Sequence, residues 1–227
     1  LIRMFGELLL LDRVPSDDKR RQYLSIIVGE SERLTALIEN VLDFAKVERG
    51  RAAYEFARGN VADIVGRAVD VYRYRAEREG MDVTFHAAER LPAVMVDARA
   101  LELAVINLLD NAVKYAKDGG RVDVAVDAQD GGSAVAVRIA DDGPGIEEDD
   151  RKRIFDRFVR GRNASEHQVR GSGIGLALVK HIAESHGGSV RVETPLQLAT
   201  GYRSPDVIFR ASTFSLFLHR TLLNYPK

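Results

Sequence analysis

The sequence contains no cysteine and no tryptophan, and its positive and negative charges almost cancel. Without cysteine the chain can form no disulfide, no thiolate metal site and no cysteine nucleophile. Its 33 Lys and Arg residues against 34 Asp and Glu residues give a net charge of -1, which excludes a general polycation for nucleic acid and leaves only a local basic patch open. Apolar runs are short, Leu8 to Leu11 being four residues where a membrane span needs ~18.

What remains is the composition of a folded protein. Apolar residues make up 45% and charged residues 30% of the 227 residues, which is typical of globular domains. The apolar pattern changes after Gly50, so we expect a helical segment over residues 1–52, a second domain over residues 53–222 and a short tail over residues 223–227. Leu1 stands in the middle of an apolar repeat without an initiator methionine, so we expect a piece of a longer protein.

The first segment has the period of two helices. Pro15 ends the first helix, and Ser16 or Asp17 can cap a second helix over residues 17–49. The apolar stripe of this second helix contains residues seven positions apart, namely Ile27, Leu34 and Val41. Two helices cannot bury such a stripe alone. It therefore packs either on the rest of the chain or against a second hairpin in a four-helix bundle, and the stripe by itself favours neither interpretation.

The second segment mixes helices with mostly antiparallel strands. Helices are predicted over residues 61–78, 97–117 and 174–186. Strands are predicted over residues 53–57, 81–87, 93–96, 121–128, 133–140, 189–193 and 212–218. Helices and antiparallel strands segregate, which predicts an α+β fold rather than a doubly wound sheet. We expect a two-layer α/β sandwich, a mixed and mostly antiparallel sheet packed on helices, preceded by an α-helical hairpin.

One predicted helix carries a polar stripe of four side chains. Asn107, Asn111, Lys114 and Tyr115 lie at helical spacing on one face. An Asn carbonyl oxygen suits Mg²⁺, which usually retains waters and substrate phosphates. Taken alone, the stripe is explained more simply as a solvated face.

An Asp-Asp-Gly-Pro-Gly-Ile motif directly follows a predicted strand at residues 141–146. The Asp141 carboxylate can accept a proton from the exocyclic amine of adenine, whereas guanine offers a carbonyl at that position. Gly143 and Gly145 would let the backbone approach a base closely. A tight turn with Asp and Gly in their usual roles is the simpler explanation of this motif alone.

A Gly-Ser-Gly-Ile-Gly-Leu motif opens a predicted helix at residues 171–176. Glycines before a helix N-terminus present backbone N–H groups to phosphates. No strand precedes the motif, so it is not a dinucleotide fingerprint, and it lacks the Gly-Lys-Ser/Thr ending of a P-loop. A glycine triplet alone is a weak signal.

Together and in this order, the motifs resemble the catalytic domain of sensor histidine kinases, in the gyrase, chaperone, kinase and mismatch-repair ATPase superfamily. The matching stretches are the N box (107–115), the first glycine box (141–146), the Phe box (154–158), the second glycine box (171–176) and a closing strand (212–214). The resemblance covers about residues 57–218. Residues 31–46 are similar to the second helix of the family's dimerisation and phosphotransfer hairpin, which favours the bundle interpretation.

The resemblance implies a core that binds ATP and Mg²⁺ and transfers the γ-phosphate to a histidine. Asp141 would read adenine, Asn111 would hold Mg²⁺, and Asn107 would support phosphates or metal. The other implied nucleotide contacts are Lys114, Tyr115, Gly143, Gly145, Ile146, Phe158, Gly171, Ser172, Gly173, Ile174, Gly175, Leu176 and Thr213. Residues 147–170 would form a lid, with Phe155 and Phe158 anchoring it.

Asn107 separates the kinases from the hydrolytic members of the superfamily, in which a glutamate at this position activates water. An amide has no basic lone pair at neutral pH and cannot act as a general base. The residue therefore favours transfer to an acceptor over ATP hydrolysis. Two alternatives are a nucleotide-binding or dimerisation module without kinase activity and a superfamily ATPase.

The chain departs from the family pattern in two places. Its histidines all lie outside residues 1–50, where the family's phosphoacceptor belongs, and we interpret them as structural or surface residues: His86, His167, His181, His186 and His219. We expect the acceptor shortly upstream of Leu1, so this chain alone should not autophosphorylate. Residues 195–211 replace a short family turn and form either a long hairpin excursion or a binding loop.

The resemblance also implies partners. We expect a homodimer through the helical hairpin, weak here because the first helix is short, and a response regulator receiver domain whose aspartate receives the phosphoryl group. No nucleic-acid partner is expected. We expect a cytoplasmic segment, and the sequence leaves open the sensed signal, phosphatase competence and whether the whole protein is anchored in a membrane.

Overall fold

A computed structural model describes residues 1–48, 54–78, 80–116, 120–159, 173–193 and 212–219. Its contacts divide the chain into two compact units, Leu1–Ala52 and Ala53–Lys227. No helix in the described ranges combines the length and apolar character needed to cross a membrane.

The first unit is a hairpin of α1 (Ile2–Leu10) and α2 (Asp17–Glu48). The Ser16 hydroxyl caps α2 by accepting a hydrogen bond from the Lys19 amide at 3.3 Å, so Ser16 rather than Asp17 is the cap. The rings of Phe5 and Tyr23 hold the two helices together, with centroids 4.6 Å apart. No residue of α1 is buried.

The second unit contains three long helices and seven strands within the described residues. The helices are α3 (Val61–Arg78), α4 (Ala98–Tyr115) and α5 (Gly175–Ser185). The strands are β1 (Ala57–Gly59), β2 (Asp82–Ala87), β3 (Val94–Val96), β4 (Arg121–Gln129), β5 (Ala134–Asp141), β6 (Ser189–Glu193) and β7 (Ser212–His219). Two short 3₁₀ turns occur at Asp130–Gly132 and Arg153–Phe155.

Five of these strands form one mixed sheet in the order β2-β4-β5-β7-β6. Only β2 and β4 run parallel, and the other neighbouring pairs are antiparallel. This confirms the predicted sandwich of a mostly antiparallel sheet on helices. β1 and β3 form a separate antiparallel pair.

The predicted first strand is displaced. We expected a strand over residues 53–57, but β1 begins only at Ala57. The preceding Glu55 amide donates instead to the Asp97 carboxylate at 2.7 Å, so this backbone group bonds to a helix cap rather than to a strand.

The core lies between the helices and one face of the large sheet. Val124, Ile139 and Phe214 are cross-strand neighbours on that face. The largest fully buried apolar side chains come from α4, α5 and the central strands β5 and β7: Leu101, Leu108, Leu109, Ile139, Leu178, Ile182, Leu216 and Leu218. α4 and α5 each pack one face against this core. The positions of both helices relative to the sheet are therefore fixed.

Candidate functional site

The Asp141 carboxylate occupies the end of β5 on the helix-covered face of the sheet. Its cross-strand partners are Val122 on β4 and Ser212 on β7. It lies two residues after Ile139 on the same strand and is therefore on the same face of the sheet as the apolar core. The side chain is only 2% exposed. Its Oδ1 accepts a hydrogen bond from the Gly143 amide at 2.9 Å, which fixes the orientation of the carboxylate.

Gly143 brings the first glycine box against the end of α4. A Cβ at this position would lie 2.7 Å from Asp141 Oδ1 and 2.9 Å from the Tyr115 carbonyl oxygen. Only glycine leaves room for this approach. Gly145 has a φ of 77°, so the same loop also needs a left-handed residue, and Ile146 follows it with its side chain half-buried.

Gly175 brings the second glycine box against the middle of α4. A Cβ at Gly175 would lie 2.7 Å from Asn107 Oδ1. The Asn107 amide nitrogen donates to the Leu103 carbonyl at 2.9 Å, which holds the side chain along its own helix. Ile174 is buried and occupies the position before the first residue of α5, and Leu176 lies half-buried in the first turn of that helix.

The Phe box and the second glycine box meet through their backbones. The Phe158 amide donates to the Gly173 carbonyl at 2.9 Å, and a Cβ at Gly173 would lie 2.9 Å from the Phe158 carbonyl carbon. Gly173 also has a φ of 69°. The predicted contacts Gly171 and Ser172 lie outside the described residues.

The prediction that the Phe158 ring anchors the lid is wrong in this structure. The side chain is 74% exposed and its residue has a φ of 62°, so the backbone and not the ring is attached. Ile154 is buried instead, and the Phe155 ring packs edge-on against Phe214 with centroids 6.5 Å apart. Phe158 as a nucleotide contact stays a prediction.

A polar cluster that the sequence analysis missed surrounds Lys114. The Lys114 ammonium pairs with the Asp110 carboxylate, which also accepts from the Tyr72 hydroxyl at 2.6 Å and lies 3.3 Å from Arg75. Burial, and then the Asp110 charge, raise the pKa of the Tyr72 phenol well above its ordinary value. The i,i+4 spacing of Asp110 and Lys114 was the available signal. The predicted contact of Lys114 with phosphates stays a prediction.

The two remaining predicted residues lie near these motifs. Asn111 is half-buried, one helical turn beyond Asn107 on α4. Thr213 lies on β7 beside Ser212 and pairs with Ala140 and Glu193. The structure therefore brings together Asp141, Gly143 and the end of α4, and separately Gly175 and Asn107.

The side chains available near the motifs agree with Mg²⁺ binding in which the protein supplies few ligands. Within the described ranges, no group of three or more His, Cys, Asp or Glu side chains is arranged to hold a metal ion. A carboxylate cage is therefore not formed by those residues. The half-buried amide of Asn111 fits the mode in which the protein supplies one or two oxygens and the substrate phosphates and waters supply the rest.

Comparisons with known proteins agree with this geometry. Residues 96–220, which contain the boxes and the closing strand, match the family described as histidine kinase-, DNA gyrase B-, and HSP90-like ATPase. The chain belongs to this ATPase family. Residues 1–50 match the His Kinase A (phospho-acceptor) domain. The two matches together make the chain the hairpin and ATPase portion of a sensor histidine kinase.

Individual relatives agree with that assignment. The signal transduction histidine-protein kinase/phosphatase MprB of Mycobacterium sp. (strain KMS) is 34% identical over 85% of this chain, which spans 36% of MprB. Full-length ShkA, solved with AMPPNP, is 26% identical over 90% of this chain and 39% of its own, with a TM-score of 0.67. Histidine kinase ThkA, solved with the response regulator TrrA, shares the fold at 18% identity and a TM-score of 0.70, over 97% of this chain and 58% of its own.

Proposed function

We propose that this chain binds ATP with Mg²⁺ and transfers the γ-phosphoryl group to a histidine on a phospho-acceptor hairpin. The observation that supports the proposal is the set of contacts between motifs that lie far apart in the sequence. The buried Asp141 carboxylate is fixed beside Gly143, Gly143 touches the end of α4, and Gly175 touches Asn107 in the same helix. These contacts bring the two glycine boxes, which are tens of residues apart in the sequence, against the middle and the C-terminal end of α4, the helix that carries the N box.

Each group of the site has a distinct part in this proposal. The Asp141 carboxylate accepts from the adenine amine, and Asn111 supplies an oxygen to Mg²⁺, with Asn107 beside it. The N-terminus of α5 and the glycines before it face the phosphates with backbone N–H groups. When bound, Mg²⁺ neutralises phosphate charge, which phosphoryl transfer needs more than covalent chemistry from the protein.

Transfer is favoured over hydrolysis because Asn107 cannot act as a base. Its amide nitrogen already donates to the Leu103 carbonyl, and an amide does not take a proton from water at neutral pH. The match to the phospho-acceptor domain over residues 1–50 supports a histidine as the acceptor. The alternatives, a non-catalytic nucleotide module or a superfamily ATPase, have no such support.

We further propose a homodimer through the hairpin and a receiver domain as the next acceptor. Residues 1–50 contain no histidine, so this chain alone should form no phosphohistidine. A hairpin that carries the histidine should be labelled in trans, slowly, because tethering of the two partners is lost. The ThkA–TrrA complex supports a response regulator as the recipient.

Nucleotide selectivity is the first test. Calorimetry should show Mg²⁺-dependent binding of ATP and ADP, and much weaker binding of GTP. Asp141→Asn replaces one acceptor oxygen with a donor facing the adenine amine, at an expected cost of ~2–3 kcal/mol. Asp142→Asn is the matched control, because Asp142 is exposed and adjacent. Equal affinity for ATP and GTP would contradict the assignment of Asp141.

Phosphoryl transfer is the second test. The chain is incubated with radiolabelled ATP, Mg²⁺ and a separate hairpin that carries the histidine, and the label is tested for stability to acid and base. Label on the hairpin, labile to acid and stable to base, is expected, and Asn111→Ala should abolish it by removing the Mg²⁺ ligand. A receiver domain added afterwards should remove the label. Rapid phosphate release without an acceptor would favour an ATPase instead.

A further inference from the structure

His186 lies at the end of α5, where its imidazole is 1% exposed. Its Nε2 lies 3.0 Å from the Asp97 amide nitrogen, and its Nδ1 lies 2.7 Å from the Ile182 carbonyl oxygen. The amide can only donate and the carbonyl can only accept. The imidazole is therefore neutral, with its proton on Nδ1 and its Nε2 accepting from Asp97.

Asp97 connects that imidazole to two further parts of the unit. Its Oδ1 accepts from the Ala100 amide at 2.9 Å and so caps α4. Its Oδ2 accepts from the Glu55 amide at 2.7 Å. One residue thereby joins the start of α4, the end of α5 and the backbone of residues 54–56, which we name the lead-in segment.

Aromatic contacts attach the lead-in segment to the same histidine. The rings of Tyr54 and Phe56 both meet the imidazole edge-on, with centroids 5.6 Å and 5.0 Å away. The segment continues into β1, whose first residue, Ala57, pairs with Val96 next to Asp97. Hydrogen bonds, ring contacts and strand pairing thus all place the lead-in segment against His186 and Asp97.

The turn after His186 leaves the imidazole little freedom to move. Gly187 has a φ of 67°, and a Cβ at Gly188 would lie 1.8 Å from the Phe217 carbonyl oxygen. The backbone of this turn is therefore pressed against β7. A displacement of the ring would have to come from the lead-in segment or from α4 rather than from this turn.

The two helices that His186 joins are the two helices of the candidate site. At their other contact, Gly175 at the start of α5 touches Asn107 in the middle of α4. Helices are stiff, so a change in spacing at the His186 end alters the approach of Gly175 to Asn107. We propose that His186 is a positioning residue, whose neutral imidazole couples the placement of the lead-in segment to nucleotide affinity at the α4–α5 site. The inference rests on the proposed ATP binding.

Protonation would break this arrangement. A proton on Nε2 would place its N–H group opposite the Asp97 amide N–H. Two hydrogen-bond donors would then face each other without an acceptor. Among the described residues, the titratable groups recorded against the ring are the Asp97 carboxylate from the α4 cap and the Tyr54 phenol from the lead-in segment. Burial lowers the pKa of His186, although the Ile182 carbonyl and Asp97 oppose this. Nucleotide affinity should therefore fall only as the pH drops through the lowered pKa of His186, which lies below the ordinary value of 6.5.

Two substitutions separate the hydrogen bond from the packing. His186→Phe keeps a ring between Tyr54 and Phe56 but leaves the Asp97 amide without an acceptor. It should weaken ADP binding by about tenfold in calorimetry, as for a lost buried hydrogen bond coupled to the site. His186→Gln can place an amide oxygen near the Nε2 position. It should retain most of the affinity and lose the fall in affinity at acid pH.

His181→Gln is the matched control for the pH profile. His181 lies on the same helix, its pKa is also lowered by burial, and its Nε2 is 3.1 Å from the Ser185 hydroxyl. This variant should keep the acid-dependent loss of affinity if His186 is responsible. Nitrogen NMR of the wild-type protein should show a protonated Nδ1 for His186, and bound ADP should slow hydrogen exchange of the Glu55 amide in the wild-type protein but not in His186→Phe.

The results of these experiments can contradict either the proposed coupling or the proposed function. Equal ADP affinity and equal Glu55 exchange in the wild-type protein and His186→Phe would overturn the coupling, whatever happens to thermal stability. If His186→Phe does not fold, a wild-type pH profile in His186→Gln would overturn it instead. A wild-type protein that binds no nucleotide would overturn the proposed function, and the coupling with it, whereas the tautomer seen by NMR would still report the hydrogen bonds.

Discussion

The two units of the chain differ in how completely they bury their apolar side chains. In the second unit most of the described apolar side chains of α4, α5 and the central strands are buried. In the hairpin, large apolar side chains remain exposed along both helices: Leu1, Met4, Leu10, Leu11, Leu24, Val28, Leu34 and Ile38. Among the described residues, the second unit thus buries the apolar faces of α4 and α5 within itself, whereas the hairpin presents an exposed apolar surface. This difference supports the proposal that two hairpins associate.

Glycines show the same difference. Gly6 and Gly29 in the hairpin helices have no atom within 4 Å of an added Cβ. In the second unit an added Cβ at Gly143, Gly175 or Gly188 would meet another group at less than 3 Å. There, glycine is required because backbone and side chains approach closely. In the hairpin it only lowers the stability of a helix.

Gly188→Ala should have the largest effect on the second unit. The added methyl would meet the Phe217 carbonyl of β7, which is held in the sheet and cannot withdraw. We expect the free energy of unfolding to fall by about 3 kcal/mol or more in urea titrations. Gly131→Ala is the control. It also lies in this unit, with a φ of 66° and open space around it, so only the backbone strain of about 1–2 kcal/mol should appear. Equal losses in both variants would contradict the steric explanation.

Leu34→Glu should act on association rather than on folding. Leu34 is 49% exposed within its own chain and belongs to the predicted seam with Ile27 and Val41. A charge buried in that seam should cost about 2 kcal/mol or more of association free energy. Sedimentation should then show a weak dimer for the wild-type chain and a monomer for the variant. Val71→Glu on α3, 67% exposed, should leave the mass unchanged. Identical masses for the wild-type chain and Leu34→Glu at high concentration would remove the seam assignment.

Much of the fold could be predicted because its signals are local. Asn60 and Asp97 directly precede α3 and α4, and their side chains accept hydrogen bonds from the Ala62 and Ala100 amides, so residue types that favour helix caps mark both starts. Alternation fixed β4 and β5 to within a residue or two. The first strand was displaced because Glu55 bonds to Asp97, and a pairing between residues so far apart leaves no local pattern.

The candidate site was predictable as motifs but not as contacts. Residue types and spacing indicated Asp141 and the two asparagines, and the structure adds that Gly143 and Gly175 press against α4. Periodicity gave no sign that the Phe158 ring is exposed, since a positive φ is not visible in a sequence. His186 was interpreted only as structural or surface, because its partners Asp97, Tyr54 and Phe56 lie on other elements.

Tyr72→Phe should have a smaller effect, confined to the polar cluster between α3 and α4. The substitution removes the hydroxyl group that donates a hydrogen bond to Asp110. The Asp110 carboxylate is one quarter exposed and keeps its ion pairs with Lys114 and Arg75. We therefore expect a loss of about 1 kcal/mol in the free energy of unfolding, measured by urea titration. Tyr74→Phe is the control, because Tyr74 lies on the same helix and is 69% exposed. A loss of equal size in both variants would mean that the Tyr72 hydroxyl contributes nothing specific.

Gly29→Ala should have the smallest effect and the opposite sign. Gly29 lies inside α2 with open space around it, so alanine adds no clash and restricts the unfolded chain. We expect α2 to gain about 0.5–1 kcal/mol, seen as slower amide exchange in its middle turns. Gly66→Ala in α3 is the control from the second unit, where the added Cβ would meet the Phe85 ring at 3.4 Å and part of the gain should be lost. Slower exchange with an unchanged dimer would place Gly29 on the outer face of the hairpin. A weaker dimer would instead place it within the association surface, and the seam would then have to be assigned to another face of α2.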